Sequence, residues 1–166
     1  MSDLELFSMP LCPFAHRVRL VLAEKAIAYR LTEIDLRNKP QAFLKVSPHG
    51  KVPALRHGGY HICESAIINE YLDETFPERP LLPRDPAGRA QARFWIEFAN
   101  SRLFAATASL LYGPHRQNRS PALEQLAGTL TDRTARDGLR NLRRWSRSAA
   151  ATATAKIAER RMACQR

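Results

Sequence analysis

The chain has 166 residues, 45% hydrophobic and 25% charged, which suits one ordinary domain or a small domain plus part of a second. Its three cysteines (Cys12, Cys63, Cys164) and five scattered histidines form neither a disulfide framework nor a zinc site, and no apolar run nears the roughly 18 residues a membrane span needs. The net charge of +10 is confined to the back: residues 1–85 carry 11 Lys+Arg and 11 Asp+Glu, and residues 86–166 carry 15 and 5.

In chain order, Leu4 to Ser8 reads as a short strand, and Val18, Leu20, Val21, Leu22 and Ile27 supply the apolar face of a first helix. Cys12 stands at the junction between them. A sulfur there faces the unpaired N–H groups and the positive end of the helix, which stabilise a thiolate. Pro13 at the first helical position loses nothing, because its missing N–H would have had no partner. Tyr29 to Leu36 reads as a half-buried strand, and Ala42, Phe43, Leu44 and Val46 as one or two helical turns. Residues 52–55 and 60–63 flank His57-Gly58-Gly59, a hairpin signal. Glu64-Ser65 opens a helix through Ile68, Tyr71, Leu72 and Phe76. Asp73 and Glu74 are adjacent on it and point about 100° apart, so they share no site. Four prolines mark a linker over residues 77–86, and a long helical pattern with Phe94, Trp95, Phe98 and Phe104 follows to residue 111. The order is βαβ then ββα, a mixed four-stranded sheet with helices packed on it, followed by helix.

That order, with a cysteine after the first strand and Val52-Pro53 at the start of the third, is the thioredoxin-like arrangement. The run from Cys12 to Leu22, Asn38-Lys39-Pro40, Gly50 to Leu55, Glu64 to Ile68 and Glu70 to Glu74 resembles the cysteine-type glutathione transferases. The omega class is the most similar, beside dehydroascorbate reductases and the soluble form of chloride intracellular channel proteins. The resemblance runs from about residue 4 to residue 112. It implies Cys12 as the catalytic thiol and glutathione as co-substrate, with a small electrophile, a disulfide or dehydroascorbate as second substrate. It implies that Val52 offers its backbone N–H and C=O to the cysteinyl part of glutathione, with Pro53 cis. Ser65 and the helix start would hold the γ-glutamyl carboxylate, and Glu64 the ammonium. Lys39, or Lys51 in its place, would reach the glycyl carboxylate. Phe14 either floors the site or packs in the core, and His16 and Arg17 are expected to face outward along the first helix. With Ala15 two residues after Pro13 there is no C-x-x-C dithiol, so Cys12 would work through a mixed disulfide with glutathione. No metal is expected, and the start of the chain shows no secretory pattern, so the setting is expected to be cytoplasmic.

The domain reading is residues 1–76 as the thioredoxin-like glutathione-binding domain, 77–86 as linker and 87–112 as the first helix of an all-α domain. Residues 113–166 read as a divergent, poorly ordered tail with 11 Arg, one Lys and four acids. Arginine almost without lysine, beside Ala/Thr runs, is what out-of-frame reading of a GC-rich gene produces, so an incomplete second domain is expected. Specific nucleic-acid recognition is not expected, because the arginines lack aromatic interleaving beyond Trp145. A homodimer is left open. The alternative function is a non-enzymatic binding protein on the same fold. The Val18 to Lys25 and Glu70 to Pro77 stretches resemble stringent starvation protein A, a partner of bacterial RNA polymerase, although such a protein has no need of Cys12-Pro13. A further alternative is a truncated product without function.

Overall fold

The computed structural model describes residues 3–112 and 120–131. Strand β1 (Leu4–Ser8) is buried along its whole length, because it lies in the interior of the sheet with neighbours on both sides. It pairs parallel with β2 (Arg30–Glu33) and antiparallel with β3 (Ala54–His57), and β3 pairs antiparallel with β4 (Tyr60–Cys63), giving the order β2-β1-β3-β4. The mixed four-stranded sheet is the one the element order predicts. Strand β2 is shorter than the residue 29–36 stretch suggested by its apolar spacing.

Side chains alternate across β1 and divide the core. Leu4 and Leu6 face helices α1 (Pro13–Glu24) and α3 (Ser65–Thr75), and meet Val18, Leu22, Leu55, Ile68 and Leu72 there. Phe7 faces the other way onto α2 (Gln41–Val46), with Ile34, Phe43, Val46 and Ala54. Each fully buried Leu, Ile or Phe contributes about 2 kcal/mol of transfer free energy, so both faces of this small sheet are committed to packing. Gly58 opens the β3–β4 turn at φ +56°, a conformation in which a Cβ would be strained. His57, at the end of β3, ties the hairpin to α3 through a 2.7 Å hydrogen bond between its Nδ1 and the Tyr71 hydroxyl.

Residues 77–86 are held against α3 and the end of α1. The Asp73 carboxylate accepts the Leu81 and Leu82 N–H groups at 2.7 and 3.0 Å and pairs with Lys25 Nζ at 2.8 Å, while Lys25 also donates to the Arg79 carbonyl. Glu74, the neighbour of Asp73, is exposed and pairs instead with Arg89, as their divergent helical directions require.

The chain divides into two compact units, Met1–Ala92 and Arg93–Arg166, with the division inside α4 (Pro86–Phe98). The single long helix expected to residue 111 is interrupted. After α4 comes one wider π-type turn, Ala99–Leu103, and then α5 (Phe104–Tyr112). Ser101 Oγ donates to the Glu97 carbonyl at 2.8 Å across this region, a back-bond that competes with the regular helical ladder. In the second unit Trp95 makes edge contacts with Phe94 and Phe98, and Arg102 lies over the Phe98 ring.

Within residues 113–166, read as a divergent tail, the described residues are 120–131. Helix α6 (Ser120–Thr131) forms there, where Pro121 follows a serine at the helix start and Ala122, Leu123, Leu126, Ala127 and Leu130 are strong helix formers. The arginine-rich stretch and Cys164 lie outside the described residues. Among the described residues no helix is long and apolar enough to cross a membrane.

Candidate active site

Cys12 is the N-cap of α1, with extended backbone (φ −81°, ψ 114°) and its carbonyl accepting the first helical bond from His16 N–H. The residue is nearly buried and its sulfur lies 3.7 Å from the Val52 carbonyl, into which the thiol points. The Val52–Pro53 bond is cis. Two groups 40 residues apart, the cysteine and the backbone of Val52, therefore meet at one end of the sheet.

The loop before Val52 is fixed by a residue that reads only as loop in the sequence. Ser47 is fully buried, and its hydroxyl both donates to the Lys51 carbonyl (2.8 Å) and accepts from the Lys51 N–H (3.1 Å). Gly50, between them, takes φ +60°, and the Lys39 side chain lies so close across it that a Cβ would meet Lys39 Cδ and Nζ at 3.0 Å. Lys39 and Lys51 are exposed and flank this same turn.

The third part of the site is the start of α3. Ser65 is its first residue, buried at 3% exposure, while the Glu64 side chain is exposed. The first intrahelical bond runs from Ile68 N–H to the Glu64 carbonyl, so the Ser65, Ala66 and Ile67 N–H groups have no acceptor within the helix. Glu64 itself is held at φ +66°, a backbone conformation that costs a non-glycine residue of order 1–3 kcal/mol and is found chiefly at functional positions.

Arg17 corrects the expectation that it faces outward. From the middle of α1 its guanidinium reaches α3, where Nε donates to Ser65 Oγ at 2.9 Å and Nη2 donates to the same oxygen. Its guanidinium carbon lies 5.3 Å from the centre of the Phe14 ring, one turn earlier on the helix. Burial holds the Arg17 group below the ordinary arginine value, and the fields of Glu64 and Cys12 oppose that shift. Phe14 is thus a half-buried support for Arg17. The spacing of Phe14 and Arg17, three apart on one helix, was the available signal; the partner, 48 residues on, was not. His16 is exposed as expected.

Cys63 ends β4, with its sulfur 3.6 Å from the Val46 carbonyl and its side chain against the α2 cluster. Ser8, at the end of β1, is fully buried. Among the described residues no group of three or more His, Cys, Asp or Glu is arranged to hold a metal ion.

Comparison with known proteins bears directly on this arrangement. The model of the glutathione S-transferase N-terminal domain matches residues 6–80, which include all three parts of the site. A probable glutathione S-transferase of Solanum tuberosum is 38% identical over 121 residues, covering 72% of this chain and 56% of the relative. The omega-class glutathione transferase 3C of Trametes versicolor superposes with a TM-score of 0.71 at 30% identity, covering 78% of this chain and 57% of that one. A tau-class glutathione S-transferase of mango, Mangifera indica, superposes with a TM-score of 0.69 at 33% identity, covering 77% and 59%. The chain spans about half the length of the curated relatives it matches. Two classes match about equally well, and what they share is the thioredoxin-like domain followed by helices: the chain belongs to the glutathione S-transferase superfamily.

Proposed function

We propose that this chain is a glutathione-dependent thiol transferase of the omega-like, cysteine type, with Cys12 as its nucleophile. The observation that carries the reading is the position of the Cys12 sulfur, at the start of α1 and 3.7 Å from the Val52 carbonyl beside the cis Val52–Pro53 bond. A tripeptide paired with the Val52 backbone as an added strand would bring its own cysteinyl sulfur to Cys12. Ser65 and the N–H groups of α3 suit the γ-glutamyl carboxylate, Glu64 the ammonium, and Lys39 or Lys51 the glycyl carboxylate.

The chemistry is thiol–disulfide exchange. The Cys12 thiolate attacks the glutathionyl sulfur of a mixed disulfide RS–SG. The Cys12–SG bond forms as RS–SG breaks, and RS⁻ leaves and takes a proton as RSH. A second glutathione thiolate then attacks the glutathionyl sulfur on Cys12, releasing GSSG and the Cys12 thiolate. The sum is RSSG + GSH → RSH + GSSG: one free glutathione thiol is oxidised to the disulfide as the R sulfur is reduced to a thiol. Reduction of dehydroascorbate by two glutathiones, and removal of glutathione from an activated small molecule, need the same first partner. Conjugation to an electrophile calls for a donor to glutathione's own thiol, and Ser8, the serine at the end of β1, is fully buried.

Replacing Cys12 tests the reading. Cys12→Ala abolishes reduction of a glutathionylated disulfide, and wild-type protein treated with GSSG gains one glutathionyl group on Cys12 by peptide mass. Thiol transfer at the wild-type rate in Cys12→Ala overturns the mechanism.

A further inference from the structure

We propose that Arg17 is a positioning residue that makes the Ser65 hydroxyl an obligate hydrogen-bond donor, so that the start of α3 accepts a carboxylate and rejects its uncharged amide. The inference deepens the functional reading above and rests on it. A serine hydroxyl has one hydrogen and two lone pairs. Arginine has donors only, in a rigid planar fork. In this structure Nε and Nη2 of Arg17 both address Ser65 Oγ, which fills both lone pairs with donors. The hydroxyl hydrogen is the one valence left, and it must point to an acceptor.

The surroundings keep this polarity fixed. Ser65 is buried at 3% exposure, so water does not freely replace its partners. Phe14 lies against the guanidinium and limits its rotation. The Ser65, Ala66 and Ile67 N–H groups beside the hydroxyl are donors too. A ligand group facing the hydroxyl and these N–H groups meets donors, with the exposed Glu64 carboxylate at the cap beside them. A carboxylate satisfies such a set fully. A primary carboxamide presents an NH2 group to donors and leaves buried groups unpaired, which costs far more than a lost contact at an open surface. Lysine in place of Arg17 keeps the charge but gives one bond instead of a fork, and the hydroxyl regains an accepting lone pair.

The test compares two ligands that cannot react with Cys12: S-methylglutathione, and the same compound with its γ-glutamyl α-carboxylate converted to the primary amide. Calorimetric affinities are measured for the full chain and for Arg17→Lys and Arg17→Met. The wild type prefers the carboxylate by about a hundredfold, and Arg17→Lys by about tenfold or less. The readout is a ratio of two affinities in one protein, which a general loss of folding does not change. If Arg17→Met fails to fold, Arg17→Lys decides alone. An unchanged ratio in Arg17→Lys overturns the role of Arg17 and leaves the glutathione reading standing. A wild type that binds neither ligand overturns both.

Discussion

Ala26 follows the last turn of α1 at φ +54°, the left-handed conformation that an L-residue with a Cβ adopts at a cost of roughly 1–2 kcal/mol. The backbone there closes the helix in the doubly bonded manner of a Schellman end: Ile27 N–H bonds the Leu22 carbonyl at 2.9 Å and Ala26 N–H bonds Ala23 at 3.0 Å. Glycine is the usual residue at that position. Ala26→Gly removes the steric cost, gives back part of it as unfolded-state entropy, and stabilises the protein by about 0.5–1 kcal/mol. A thermal melt shows this as a rise of about 2–3 °C; an unchanged or lower Tm refutes it. Glu64 is held at a similar angle, φ +66°, but its place beside Ser65 in the candidate site gives that conformation a different meaning. There the backbone sets where a carboxylate stands, and relief of strain is not the useful substitution.

At the scale of elements, the ion pair of Lys25 and Asp73 joins the end of α1, the last turn of α3 and residues 77–86 in one buried knot. Burial alone would raise the Asp73 carboxyl, but the Lys25 hydrogen bond, the Leu81 and Leu82 N–H groups and the Lys25 charge together hold it below the ordinary carboxylate value. A carboxyl depressed in the folded state contributes stability that is fully present above its unfolded value, near 4, and is lost as pH falls through the lower folded value. Asp73→Asn removes the countercharge of a buried lysine and costs about 3 kcal/mol at pH 7. Urea titrations of both proteins from pH 7 to pH 2.5 show the gap narrowing at the acid end; a gap independent of pH removes the assignment. This knot also marks what could be read in the sequence. The junction at Cys12, the hairpin around Gly58 and the opening of α3 at Ser65 were legible because each is written in adjacent residues: an apolar period that changes, a glycine pair, a helix-start serine. Arg17 with Ser65 and Lys25 with Asp73 are both 48 residues apart. In a helical pattern Arg17 reads as a solvated arginine beside core Val18, and Asp73 as one of two surface acids. The π-type turn at Ala99–Leu103 was hidden for a related reason, since Asn100 and Ser101 break no apolar period.

At the scale of the whole molecule, a balanced front half carries the candidate site and the net charge of +10 lies entirely beyond residue 85. Glutathione is a small anion, so it could raise the melting temperature in two ways: by filling the site around Cys12, Val52 and Ser65, or by screening the basic half. The two differ in what they require of the ligand. Screening depends on charge and ionic strength alone, whereas the proposed site calls for an ammonium beside Glu64, a peptide backbone beside Val52 and a carboxylate beside Ser65. At constant ionic strength, glutathione at about 100 times its Kd adds roughly 2.7 kcal/mol to the native state, which for a chain of 166 residues is a rise of about 8 °C. Succinate at the same concentration carries charge but neither the ammonium nor the peptide backbone, and it leaves the Tm within a degree or so. An equal rise with succinate assigns the effect to the basic half and removes the support for a built glutathione site. A rise with glutathione alone, reproduced in Cys12→Ala, shows that the protein recognises the tripeptide before any sulfur chemistry begins.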